Sequence, residues 1–246
     1  MTEIIFQLAL AVIPAILAIT LHEAAHGYAA LALGDDTARN AGRLSLNPLR
    51  HVDRVGTILL PGFLLVFQLL TIHRVVFMFG WAKPVPVSAF KFANPRRGMA
   101  LVAAAGPAMN FFLAWLGALL LPSPTGFSGN GLDYLEVAIA QHPIVGVFLF
   151  YFMLTNLVLG LFNLLPIPPL DGGRIAVGIL PLPLARAWAQ LERVGIVLVL
   201  LAVFILPRLI GVDPVGEALD HILPWAFRTI FWLTGQDVEG LNGANI

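Results

Sequence analysis

The chain contains no cysteine, which excludes disulfides and thiolate metal sites and leaves the redox compartment unmarked. Charge is scarce. Only 11% of the 246 residues are Asp, Glu, Lys or Arg, against roughly 25% in ordinary soluble domains. Basic and acidic residues number 14 each, so the net charge is zero, and nothing points to nucleic acid or to an electrostatic hold on lipid. The opening MTEIIFQLAL lacks the basic n-region of a signal peptide, so the first apolar run is expected to stay in the mature protein. Internal repeats, low-complexity tracts and long linkers are missing as well. With short loops there is no room for an added soluble domain, and residues 1–246 are expected to form one integral membrane domain.

What is present is apolar: 59% of residues are hydrophobic and the mean hydropathy is +0.87. A hydrocarbon layer about 30 Å thick takes ~20 apolar residues to cross. Runs of that kind, with shorter ones, cover 4–33, 55–79, 98–121, 144–165, 194–206 and 222–233. They predict an all-α, multi-pass membrane protein with about five to six membrane segments. The run 4–33 would make a helix ~45 Å long, more than one bilayer core. The run 55–79 is interrupted by Pro61-Gly62, contains His73 and Arg74, and has basic flanks on both sides, which leaves it either a span or a re-entrant segment with the Pro61-Gly62 break at its bend. In GWAKPVPVSAFKF, Val85, Val87 and Ala89 alternate with other residues. That period of two predicts a small β-like, membrane-associated loop whose prolines fit only an edge strand.

Loop charges predict orientation. Arg39, Arg43, Arg50 and Arg54 follow the first run, and Lys83, Lys91, Arg96 and Arg97 precede the third. The loop between the third and fourth carries no Lys or Arg, and Arg174, Arg186 and Arg193 follow the fourth. The basic loops belong at the cytoplasm, so the N-terminus is expected outside.

Inside the first run stands His22-Glu23-Ala24-Ala25-His26. Ionisable groups in a membrane segment mark function by default. On a helix, positions i and i+4 share a face, so both imidazoles can reach one zinc ion. Glu23, ~100° around from His22, is within reach of a water at that metal. The plainer reading is a histidine pair making helix-to-helix hydrogen bonds with Glu23 as a partner. Catalytic zinc takes a third protein ligand, and Asp171 in PPLDGGR falls at a matching depth and on the matching side; its alternative is to cap a helix starting near Ile175. His51, Asp53 and Asp35 read as solvated loop residues or caps. Asn163 could donate to a developing oxyanion, while Asn110 and Asn156 fit helix-to-helix hydrogen bonds better.

Together, HEAAH, AAAGPAMN and FNLLPIPPLDGGR resemble the site-2 protease family of intramembrane zinc metalloproteases. GRLSLNPLRHVDRVGT and GWAKPVPV are similar to its compact prokaryotic members, which lack PDZ and CBS domains. The resemblance runs from about Thr20 to Arg174. It implies one Zn2+ per chain held by His22, His26 and Asp171, with Glu23 as general base and Asn163 as the oxyanion-side amide. The expected activity is hydrolysis of peptide bonds in membrane-spanning protein or peptide substrates, within the lipid bilayer and near the cytoplasmic face. The competing class is a membrane metal transporter or metal sensor built on the same His and Asp residues. It predicts polar groups strung along a path through the bilayer rather than clustered at one depth.

Overall fold

The structure is a computed structural model that describes residues 2–71, 73, 80–125, 131–201, 209, 211 and 213–235. It is helical, with no β-strand among the described residues. Four helices are long and apolar enough to cross a membrane: Ala9–Ala32, Arg54–Thr71, Pro95–Leu119 and Pro143–Asn163. Of the other two expected segments, 194–206 begins as a short helix (Gly195–Leu200), and 202–206 lies outside the described residues. The segment 222–233 is the second half of a longer amphipathic helix, Pro214–Leu233. Its first half carries Glu217 and Asp220, which hid its continuity from a reading by hydropathy.

The first helix, α1 (Thr2–Ala32), runs straight through the HEAAH motif. After the short α2 (Thr37–Asn40), the second membrane segment enters by a π-helical turn, Arg54–Leu59, and continues as α3 (Leu60–Thr71). The helix continues through Pro61-Gly62 without a break, where the sequence suggests one. Proline lacks the N–H that would close the helix onto the carbonyl behind it. Here the Gly56 carbonyl, five residues before Pro61, accepts instead from the Trp81 N–H at 3.1 Å. His73 has a positive φ of 54°, and Arg74 lies outside the described residues.

The central element is α4 (Pro95–Leu119). Asn94 caps it by accepting from the Arg97 N–H at 3.1 Å, and Pro95 occupies the first turn, where no N–H is needed. It packs against α1, against α6 (Pro143–Asn163) and against α7 (Asp171–Ile179), and α1 also touches α6. A surface helix, α5 (Gly131–Gln141), lies before α6, and α8 (Leu182–Gln190) packs on α7. The main hydrophobic cluster joins α4, α5, α6 and the Pro214–Leu233 helix around Met153, Leu157 and Phe231, all fully buried. A smaller apolar cluster of Ala30, Phe92 and Val102 lies on the α1–α4 side, beside the motif.

The predicted β-like loop is an irregular segment, and 89–91 is a 3-10 turn. A lone extended segment finds no strand partner, so its polar groups turn to helices and loops instead. The Trp81 and Lys83 N–H groups donate to Gly56 and His51 carbonyls, Val85 N–H to Glu23 and Ser88 N–H to Asp35.

Candidate active site

His22, Glu23 and His26 sit on α1 where it crosses α4. The imidazoles pack edge to face with centroids 4.6 Å apart. The α4 residues opposite them are also spaced by four. Val102 accepts from His26 Nδ1 through its carbonyl at 2.7 Å, and Asn110 Oδ1 accepts from His22 Nδ1 at 2.6 Å. Between them Gly106 lies so close that a Cβ there would stand 2.5 Å from both rings. The matching order, His26 with Val102 and His22 with Asn110, means that α1 and α4 run antiparallel.

These bonds fix the tautomers. A backbone carbonyl only accepts, so His26 carries its proton on Nδ1. The amides are oriented by the same logic. Asn156 Nδ2 donates to the Phe152 carbonyl at 2.8 Å, so its Oδ1 is free to accept from Asn110 Nδ2 at 2.8 Å. That turns the Asn110 oxygen toward His22. In their neutral forms both imidazoles present bare Nε2 lone pairs, and the two Nε2 atoms lie 3.0 Å apart.

Asp171 closes the cluster. Its Oδ2 lies 3.1 Å from His22 Nε2 and 3.3 Å from His26 Nε2. It is the first residue of α7, with Leu170 in the cap position, so its carboxylate is not the predicted cap. Gly172 allows this approach, because a Cβ there would strike the Leu164 and Leu165 carbonyls at the end of α6. Asp171 Oδ2 is buried and has no hydrogen-bond donor. With both rings neutral, three acceptors converge at one buried point, an arrangement that repels itself unless a proton or a metal ion sits between. Tetrahedral zinc, with bonds of about 2.0–2.1 Å, separates its ligands by roughly 3.3 Å, so the donor set and its spacings fit zinc.

A cavity of about 500 Å³ opens beside the cluster, bordered by Glu23, Val85, Asn163 and Arg174. Glu23 Oε2 accepts from the Val85 N–H at 3.1 Å. Asn163 reaches the cavity but donates one amide N–H back to the Leu159 carbonyl at 3.0 Å. The expectations for the remaining candidates divide. Asp53 is a cap, accepting from Val55 and Gly56 N–H groups. His51 is not solvated: it is buried and donates from Nε2 to the Ser45 carbonyl at 2.8 Å. Asp35 is fully buried. Burial alone would raise its pKa. Hydrogen bonds from the Thr37 hydroxyl, the Ser88 and Thr37 N–H groups and Lys91 outweigh that and hold it below the ordinary 3.8. Asp35 thereby ties the end of α1 to the segment that carries Val85.

Sequence reading assigned Asn110 and Asn156 to helix-to-helix hydrogen bonds. They do make one, but it ends on His22. The four-residue spacing of Val102, Gly106 and Asn110, equal to that of the histidines, was the available signal.

The family model for peptidase family M50 matches residues 130–203. Over 196 residues the chain is 39% identical to a Bacillus subtilis protein named "Putative zinc metalloprotease YwhC", covering 80% of each chain. No solved structure matches. A buried trio of potential metal ligands on apolar helices and a relative of nearly the same extent that carries the name of a putative zinc metalloprotease lead to one assignment: the chain belongs to peptidase family M50, the site-2 protease family of intramembrane zinc metalloproteases.

Proposed function

We propose that this protein hydrolyses peptide bonds of membrane-spanning substrates near the cytoplasmic face, with His22, His26 and Asp171 holding one zinc ion, Glu23 as general base and Asn163 as the oxyanion-side amide. One observation carries the reading: two imidazole nitrogens and a carboxylate oxygen meet within 3.3 Å of one another at the edge of a cavity that Glu23 also borders. Zinc bound there supplies Lewis acidity toward water and the scissile carbonyl. Asn110 and Val102 hold the Nδ1 sides of both histidines and aim their Nε2 atoms at the shared point. Glu23 takes the proton of the attacking water and returns it to the leaving amine. The Val85 N–H fixes one of its oxygens and leaves the other for that task. Asn163 retains a second amide N–H for the developing negative charge.

The Trp81–Ser88 segment bears on how substrate enters. One edge is used by the protein itself, through the Trp81, Lys83 and Val85 N–H groups. Pro84 and Pro86 have no N–H to offer, so an unwound substrate pairing beside them meets carbonyl acceptors. The cytoplasmic placement is supported by the basic loops around the cluster, from Arg39 to Arg54 and from Lys83 to Arg97. The metal-transport alternative asks for polar groups along a path, whereas His22, His26, Asp171, Asn110 and Asn156 form one connected cluster.

Glu23→Gln tests the mechanism. It keeps size and hydrogen-bonding reach but removes the base. Zinc content should equal that of wild type, and cleavage of a membrane-spanning test substrate in liposomes should fall by roughly 10²–10⁴-fold. Equal cutting by the two proteins would refute Glu23 as base.

A further inference from the structure

We propose that a second groove, adjoining the reaction cavity, is a substrate subsite that selects an acidic side chain, with Arg174 as its recognising cation. The proposal rests on the protease reading above. The groove holds about 260 Å³ and has small apolar walls from Ala89, Pro95, Val177 and Ala189. It adjoins the reaction cavity and shares Met99 and Arg174 with it as walls, within reach of a peptide chain bound there. That adjacency points to the substrate itself as occupant.

Charge defines what the groove takes. Arg174 stands one helical turn after Asp171 on α7, on the same side of the helix. Its Nη2 donates to Glu192 Oε1 at 3.1 Å, and the two side chains are 44% and 48% exposed. Ion pairs that open to water are weak, so another carboxylate displaces Glu192 at little net cost. The neighbouring cation is not available in this way. Arg96 Nε and Nη2 donate to the Val177 carbonyl at 3.2 and 3.0 Å, closing the end of α7. Among the described lining residues, Arg174 is therefore the exchangeable cation and Glu192 its placeholder. Arg174 lies ~4.5 Å along the helix from Asp171, and an extended peptide advances about 3.3 Å per residue. Allowing for the length of both side chains, the recognised acid falls about two to four residues from the cleaved bond.

The test uses full-length, zinc-loaded enzyme in liposomes and a membrane-spanning substrate in which one Glu, Gln or Lys is walked through two to five residues on either side of the cleaved bond. At one position, wild type should cut the Glu form about threefold to fivefold faster than the Gln form in kcat/KM, the scale of an exposed ion pair, and added salt should erode the preference. Arg174→Gln should bring the ratio to one, Arg174→Glu should favour the Lys form, and Glu192→Gln should enlarge the preference for Glu. The proposal falls if no position distinguishes Glu from Gln, or if Arg174→Gln leaves the ratio unchanged. Should Arg174→Gln fail to fold, as its zinc content would show, an unchanged ratio in Glu192→Gln overturns it instead. If zinc-loaded wild type cuts none of the substrates, the protease reading fails and the subsite with it, a result distinct from uniform cutting of all of them.

Discussion

Gly106→Ala offers a sharp test of how the candidate site is built. A Cβ at this position would stand 2.5 Å from His22 Cε1, His26 Cε1 and His26 Nε2, whereas non-bonded carbon atoms settle at about 3.5–4.0 Å. Relief requires a shift of roughly 1 Å. Neither ring is free to move by that much, because His22 is held to Asn110 at 2.6 Å and His26 to the Val102 carbonyl at 2.7 Å. Metal–ligand distances tolerate about 0.2 Å. Disturbing groups that merely support a ligand already costs 10–100-fold in metal affinity, so displacing two ligands together should weaken zinc binding by at least about 100-fold. Global stability should change far less. Overpacking costs about 1–3 kcal/mol, and replacing glycine by alanine inside a helix returns up to about 1 kcal/mol. The assay is zinc affinity by chelator competition in detergent, with thermal melting by circular dichroism on the same samples. Gly62→Ala is the control, since nothing lies within 4 Å of its Cβ position. Wild-type zinc affinity in Gly106→Ala, or an equal loss in Gly62→Ala, would refute the packing argument.

Asp171→Ala should lose most bound zinc while the helices remain inserted, and Asn110→Ala should weaken zinc by about 10–100-fold through loss of the His22 anchor; metal analysis on both variants checks the order. Cysteines at Ser45 and Ser123, clean reporters in a chain without native cysteine, should label from opposite faces of sealed vesicles, and labelling of Ser123→Cys only from the cytoplasmic side would overturn the proposed orientation. Asp35 has a lowered pKa, so its stabilising contribution is complete above the ordinary carboxylate value of 3.8 and is lost as pH falls through its lower folded value. Asp35→Asn should therefore be less stable at neutral pH and show a flatter loss of stability below about pH 4; parallel acid-denaturation curves for the two proteins would contradict this.

Local pattern carried the parts of this protein that depend on neighbours in sequence. Apolar runs longer than a bilayer needs leave a helix few alternatives, because a backbone in lipid must satisfy its own hydrogen bonds; the four membrane-length helices follow from that. The i, i+4 spacing of His22 and His26 puts both rings on one face wherever α1 ends up. Amphipathic helices on the surface were less legible. α5, α8 and the full length of Pro214–Leu233 carry charges that dilute hydropathy, and the helix survives Pro61 because an N–H from Trp81, 20 residues on, meets the Gly56 carbonyl. Tertiary structure alone decided what meets the histidines. Asp171 arrives 145 residues after His26 in the chain, carried by the packing of α7 on α4. The antiparallel crossing of α1 and α4 turns an ordinary-looking Val102, Gly106 and Asn110 into the carbonyl, the gap and the amide that fix both imidazoles. The Val85 N–H reaches Glu23 only because the 80–88 segment lies across α1. Such contacts depend on how helices dock, which the period of 3.6 residues constrains for each helix separately and for no pair of them.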